Sequence, residues 1–524
     1  MKLGIWILIL YVLAGCEINS KQSDPVSFIP PSPDEQDSTF TPPQSGIMAP
    51  LKKTEFDQLS PLQKYQTINR LIGSLYKGIA AKDYFDLSRG TDNLEIQDNA
   101  ITLTELRDQL NTATPDFTDI ISQAKVYYFT RADKKERKAP LELPFVYLYE
   151  LPLSKDSFDL WMAYQLTNTI LFSPALELDS TSDNDVKNVL SHLNEAIKSD
   201  TPIPQIVYNH MVSVENWRRF RSPEDNTREM LEIYLSRFID EEVPKAAKAC
   251  QNWKLSDEDD NYQLIIGINV NDQPQDLLDS NHITTCKDFY RALSEHPRLI
   301  PTIVFQLVNY LFAYADPEKK SEIASAIVNH QPTTFREIFS TMLFSKEYLI
   351  NNPRIRRIEE TFFNTAYRID WRPNPMFFRF LTEQTSAAPL SRITLRQLHQ
   401  EPMSYKLGRP ISVPVDTLSF AYFHGLIRNS LMIKQPLNEL DSGWQSSFHQ
   451  DPEVAQLSTT QFIDYVFITA IARKPNVAER ETLLDIIQSI RNNDSKVAQS
   501  RLVLDYLSRL PELYYMDSID NISP

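Results

Sequence analysis

The chain has 524 residues, 42% hydrophobic and 11% aromatic, with a net charge of −16, enough apolar mass for a substantial core in roughly two or three domains. Its 10 glycines against 34 prolines fall far below the usual glycine share of about 7%. Glycine-rich phosphate loops and tight β-hairpins, which need φ > 0, are therefore disfavoured, and helices joined by Pro, Asn, Asp and Ser turns are expected. The acidic balance argues against nucleic acid as a partner.

Residues 1–16 read MKLGIWILILYVLAGC. One lysine precedes an apolar run, Ile5 to Leu13, too short to span a bilayer as a mature helix. Leu13-Ala14-Gly15-Cys16 places small residues before a cysteine acceptor, the bacterial lipoprotein signal pattern. Residues 1–15 read as the signal peptide, and Cys16 as the lipidated residue that joins the chain to the bilayer. A diacylglyceryl group with an amide-linked chain satisfies the need for two or more acyl chains in stable anchoring. Glu17 follows, rather than the Asp associated with inner-membrane retention. An outer-membrane anchor facing the periplasm is expected.

Residues 16–55 read as lipidated Cys16 and a disordered tether, with Pro25, Pro30, Pro31, Pro33, Pro42, Pro43 and Pro50 among Ser, Asp and Gln. The body divides into an N-terminal helical domain, 56–350, and a C-terminal helical region, 351–524. Ser60-Pro61 is an N-cap and first-turn proline; Leu62, Tyr65, Ile68, Leu71, Ile72, Leu75 and Ile79 predict an amphipathic helix of about twenty residues. A short helix follows at Thr102–Leu110. Val126–Phe129 and Phe145–Tyr149 are β-prone, so a small β-hairpin insertion is expected around 125–153. Helices are then predicted at Asp159–Leu171, Asp185–Ile197 and Ile203–Val212.

Asn226 to Trp253 carries the densest set of paired polar residues. Met230, Leu231, Tyr234 and Phe238 form an apolar helix face, while Arg228 and Glu232 stand four apart on the opposite face. Asn226 with Glu229 has capping-box spacing. A second helix holds Val243, Ala246, Ala247 and Cys250, closed by Trp253. In one reading these residues are a cap, an ion-pair network and a core anchor. In the other, Asn226, Arg228, Glu229 and Glu232 converge on a cleft, with Trp253 lining it.

Asp257–Asp260 is an acidic run without the glycine and terminal Glu of a calcium loop. His296-Pro297 opens an apolar helix, where the helix dipole favours a neutral imidazole. Helices follow at Lys319–Val328, Thr334–Phe344 and Arg354–Tyr367, then an irregular region, Arg372 to Val415. The C-terminal helices are expected at Val415–Ile433, Thr459–Arg473, Val477–Asn492 and Ala498–Leu510, with Asn476 and Glu479 as a capping box.

The positions Asn226, Arg228, Glu229, Glu232, Val243, Ala247 and Trp253, with His296-Pro297 and the ending Leu343-Phe344-Ser345-Lys346-Glu347-Tyr348, resemble the bacterial, mostly secreted family known as domain of unknown function 1800. The resemblance runs from about Trp161 to Tyr515. It implies a secreted helical fold and brings no established activity. The family's Trp-His-x-His-Phe segment is missing, Asn252 and Arg237 stand where glycines are usual, and Gln306 stands for a common Lys. A metal or catalytic centre built on those positions would be lost in this chain.

No nucleotide-binding loop, nucleophile elbow, His-Glu-x-x-His or haem-attachment pattern occurs. The eight histidines are scattered, and neither a cofactor nor a metal is expected. Cys250 and Cys286 either close a loop of about 35 residues in an oxidising compartment or remain buried thiols. The expectation is a membrane-anchored envelope lipoprotein, mainly α, acting as a non-catalytic scaffold for another envelope protein or polymer. The alternative is a hydrolase or metal-assisted enzyme on an envelope polymer, in which Arg228 clamps an anionic group and Glu229 or His296 is the acid or base.

Overall fold

The computed structural model describes residues 41–129, 142–175, 183–256, 262–267, 273–370, 402–403, 408, 448–489 and 495–519. The helices of the first part are α1 (Lys53–Gln58), α2 (Pro61–Ser74), α3 (Leu103–Gln109), α4 (Phe117–Phe129), α5 (Glu142–Glu150), α6 (Lys155–Thr167), α7 (Asp183–Lys198), α8 (Ile203–Met211), α9 (Val214–Arg219), α10 (Pro223–Leu235) and α11 (Val243–Ala249). They continue with α12 (Cys286–Ser294), α13 (Leu299–Leu311), α14 (Pro317–Val328), α15 (Phe335–Phe344), α16 (Ile358–Arg368), α17 (Pro452–Gln456), α18 (Thr459–Ile471), α19 (Val477–Ser489) and α20 (Lys496–Leu507). The fold is mainly α. Its strands are β1 (Phe85–Asp86), β2 (Glu95–Ile96), β3 (Trp253–Ser256), β4 (Gln263–Ile266), β5 (Gln275–Leu277), β6 (Ser280–Ile283), β7 (Arg354–Ile355) and β8 (Tyr515–Met516), and each pairs antiparallel with one neighbour, β1 with β2, β3 with β4, β5 with β6 and β7 with β8.

Local chemistry explains most helix starts. The Ser60 side chain accepts from the Gln63 amide, Gln63 reaches back to the Ser60 amide, and Pro61 takes the first helical position. Thr102, Ser154, Thr285, Thr334 and Ser458 cap α3, α6, α12, α15 and α18 in the same way. The Asn476–Glu479 box is present, with bonds of 2.8 and 2.9 Å.

The hairpin expected around 125–153 is absent from the described residues there. Val126–Phe129 end α4, and Phe145–Tyr149 lie inside α5. A short apolar run has no readable period, so a helix buried nearly all round resembles a strand. Phe145, Val146, Leu148 and Tyr149 are all in the core. The hairpins form instead at 253–266 and 275–283. The connecting segment 130–141, the acidic run Asp257–Asp260 and the helix expected at Val415–Ile433 lie outside the described residues, as does nearly all of 372–415.

Two boundaries move. The chain is already packed at Met48 and Leu51, where the Leu51 amide donates to Phe344 and the Lys346 amide to Ala49, so the tether does not reach residue 55. The border expected at 350/351 falls inside one compact unit, residues 37–524. Arg354–Ile355, expected to start a helix, is strand β7 and pairs with β8, and α16 packs on both α2 and α18.

Helix α2 is shorter than its apolar spacing predicts, ending at Ser74, with Tyr76 in the left-handed region (φ 64°). It is also not amphipathic in place: every residue from Tyr65 to Ser74 is buried, including Gln66, Asn69 and Arg70. Its polar side chains are answered from distant segments: Gln66 donates to the Ala472 carbonyl, Asn69 accepts from Arg368 of α16, and Arg70 donates to the carbonyls of Leu349, Ile350 and Asn352. Arg354 grips Glu360 through two bonds of 2.6 and 2.7 Å and donates to Ser74 at 2.8 Å. Burial alone would depress the Arg354 pKa, and the Glu360 carboxylate more than offsets this. Asn364 donates to the Lys77 carbonyl at 2.6 Å. Lys77 is buried, its ammonium held by the carbonyls of Leu148 and Tyr149 and by Tyr367, and burial drives its pKa well below normal.

The approach of α2 and α16 depends on glycine. A Cβ on Gly78 would stand 2.6 Å from the Asn364 carbonyl oxygen, and one on Gly73 3.1 Å from the Asn364 side-chain nitrogen. We predict that Gly78→Ala forces the elements apart and lowers stability by about 1–3 kcal/mol, as overpacking does. A urea unfolding midpoint equal to wild type would contradict that contact.

Candidate functional site

Helix α10 is opened by Ser222, whose side chain accepts from the Asp225 amide at 3.1 Å, with Pro223 at its first position. Asn226 is therefore inside the helix and is not its cap, as its own spacing to Glu229 had implied. Ser222-Pro223 is the stronger start signal, because proline suits a first turn whose amides lack intrahelical partners. Asn226 is fully buried: its amide nitrogen donates to the Phe220 carbonyl at 3.3 Å, and its side-chain oxygen accepts from the Tyr290 hydroxyl at 2.6 Å. Burial raises the Tyr290 pKa well above normal, so its hydroxyl stays a donor.

Trp253 is buried in β3, where its ring lies 5.5 Å from Trp217 and meets the Tyr290 ring edge-on at 5.8 Å. Cys250, just past α11, and Cys286, the first residue of α12, form a disulfide across a sequence separation of 36. Asn226, Tyr290, Trp217, Trp253 and this bridge fasten α9, α10, α11 and α12 into one dry knot.

Arg228 does not pair with Glu232 as expected. It reaches back to Glu224 at 3.1 Å, and both partners are substantially exposed, 43% and 67%. Glu224 comes one turn earlier, nearer the positive helix end that favours an acid. Glu229 and Glu232 are half-buried.

His296 is half-buried in the turn before α13. Its Nδ1 accepts from the Arg298 amide at 3.1 Å, and its carbonyl accepts from the Leu299 amide at 2.9 Å. Burial and then the nearby Arg237 lower its pKa, against Asp279 and Glu242. Burial, the largest cause, favours the neutral imidazole. Arg298 donates to the Ser236 carbonyl at 3.4 Å, which seats His296 beside the C-terminal end of α10. Arg228 lies eight residues back, roughly 12 Å along the helix axis. Arg228 and His296 thus have separate partners, Glu224 for the one and the Arg298 amide for the other.

The chemistry that sequence reasoning missed is in the interior. Arg70, Lys77, Arg354, Arg356, Glu359, Glu360 and Arg368 are all buried. Arg70, Ser74 and Lys77 recur at helical spacing, which reads as a solvated face until α16 covers it. Around Ser74, Tyr348, Arg354 and Glu360 lies a cavity of about 50 Å³, room for a few waters and no substrate. A hollow of about 550 Å³ beside α7 and α8 is lined by His192, Glu195, His210 and Glu215. His210 there is half-buried, and burial, then Arg219 and His192, push its pKa down to about 3. Among the described residues no group of three His, Cys, Asp or Glu side chains is placed to hold a metal ion. No protein-family model, no curated protein and no solved structure matches the chain.

Two outcomes follow from these placements. Asn226→Ala leaves the Tyr290 hydroxyl buried without its acceptor and costs about 1–3 kcal/mol, while Arg228→Gln stays within about 0.5 kcal/mol of wild type. Equal unfolding midpoints for the two variants would contradict the assignment. Reducing the Cys250–Cys286 bridge lowers stability by roughly 3–4 kcal/mol in the chain-entropy account; an unchanged melt in dithiothreitol, with both thiols shown free by mass spectrometry, would refute that.

Proposed function

We propose that this chain is a lipoprotein of the bacterial cell envelope, anchored through Cys16 in the outer membrane and facing the periplasm. It works as a non-catalytic scaffold for another envelope protein or polymer. The observation that carries the non-catalytic part is the use already made of the candidate residues. Asn226 and Trp253 are committed to the core, and Arg228 is held at the surface by its own helix.

Other features support the placement. The Leu13-Ala14-Gly15-Cys16 stretch has the residues a lipidation signal needs. The Cys250–Cys286 disulfide suits an oxidising compartment. No helix among the described residues is long and apolar enough to cross a membrane, so the membrane attachment proposed here comes from the acyl chains on Cys16. The resemblance to the secreted family fits the same location.

Cells fed labelled palmitate provide the test. The wild-type chain is expected to carry label and sediment with outer membranes, and Cys16→Ser to lose both. Label or membrane association surviving in Cys16→Ser would overturn the anchor. In a deletion strain, Arg228→Gln and Glu229→Gln should restore the envelope as wild type does; failure by folded variants would move the reading to the hydrolase.

A further inference from the structure

A cavity of about 260 Å³ lies among α2, the β7–α16 connection, α18 and β8, and its wall carries Arg70, Arg356 and Arg368. All three side chains are more than nine-tenths buried. Arg70 is fixed by the carbonyls of Leu349, Ile350 and Asn352, and Arg368 by Asn69, Thr469 and Ala470. These partners are neutral. The other charged groups here are largely spoken for: Arg354 takes Glu360, and Arg473 takes Glu479 and Glu512. Four guanidiniums and two carboxylates line the cavity: Glu512 is paired with Arg473, and Asp517, exposed at the rim, is left beside Arg70, Arg356 and Arg368.

The cavity wall also gathers orphaned polar atoms. Nε and Nη1 of Arg356, Nε of Arg70 and Oε1 of Gln66 are buried without a hydrogen-bond partner. Gln66 donates its nitrogen to the Ala472 carbonyl at 2.8 Å, which settles which end of its amide is free. Burial, followed by Arg368, Arg354 and Arg70 and against Glu360, pushes the Arg356 pKa down to about 9; burial and Arg354 push Arg70 to about 10. A guanidinium still keeps its proton at neutral pH. Water can satisfy a lone donor but brings no charge to offset buried cations.

We propose that this cavity binds a phosphate group, with Arg356 as the direct donor and Arg70 and Arg368 as fixed positive charges beside it. Several cations favour a dianion over a carboxylate, and the arginine fork suits phosphate oxygens. Hydrogen phosphate supplies both acceptors for Arg356 and an O–H for Gln66. The site draws on chain segments near residues 70, 356, 368 and 517, so its ligand stabilises the fold by mass action. It is independent of anchoring at Cys16.

The test is thermal unfolding of the full chain in detergent, with phosphate, sulfate, acetate or chloride at matched ionic strength. Phosphate and sulfate are expected to raise the wild-type Tm, and acetate and chloride to leave it. Arg356→Gln should lose the rise and Arg228→Gln keep it, with phosphate affinity by calorimetry weakened at least about tenfold in Arg356→Gln. An equal rise with chloride or acetate, or an equal rise in Arg356→Gln, overturns the proposal. Should Arg356→Gln fail to fold, ³¹P line broadening of inorganic phosphate by wild type decides: broadening reversed by sulfate supports the site, and its absence refutes it. Glycerol 3-phosphate, run beside inorganic phosphate, separates an esterified phosphoryl ligand from the free ion.

Discussion

The contact between α2 and α16 joins residues 61–74 to residues 358–368. Gly73 and Gly78 let the backbone come close to Asn364, and that closeness puts Ser74 within reach of Arg354 and its partner Glu360. A buried ion pair is weak evidence for net stability, because desolvation of both charges opposes their attraction. Its value here is in specifying register. Any slip of α16 along α2 would part Ser74 from Arg354 and the Lys77 carbonyl from Asn364, leaving buried polar atoms unpaired. The same register aligns β7 with β8, drawing residues 515–516 against 354–355.

A second knot stands apart from that spine. Trp217, Trp253, Tyr290, Asn226 and the Cys250–Cys286 bridge tie short helices that have little stability alone. α9 and α11 have six and seven residues, lengths at which a helix persists only through packing. Within the knot Asn226 is used up by the Phe220 carbonyl and the Tyr290 hydroxyl, so the most motif-like stretch of the chain spends this residue on packing. Motif density is an ambiguous signal here because capping, ion pairing and catalysis draw on the same residue types.

The arginines around the 260 Å³ cavity behave differently. Arg354 has a carboxylate of its own, while Arg356, two residues on, has none among the described residues. Backbone carbonyls at helix and strand ends hold Arg70 and Arg368 in place without neutralising them. The strain of that arrangement is electrostatic, and it is concentrated where the N-terminal helix, the middle of the chain and the last strand meet.

Much of the helical layout was legible from local chemistry. Ser60-Pro61, Thr102, Thr334 and the Asn476–Glu479 box mark their helices because a cap is a contact between residues two or three apart. The mainly α class followed from scarce glycine and long 3.6-residue periodicities. Phe145–Tyr149 misled because burial on all sides erases the alternation that separates helix from strand. Asn226 misled because a polar residue that fits a cap also fits a core that supplies Tyr290, 64 positions away. Arg70 and Lys77 lie off the apolar face of the predicted amphipathic helix, and the sequence does not show that α16 will cover them. Signals carried by neighbours along the chain survive in one dimension. Pairings such as Arg354 with Ser74, a sequence separation of 280, exist only once packing has excluded water, and that exclusion is decided by the whole fold.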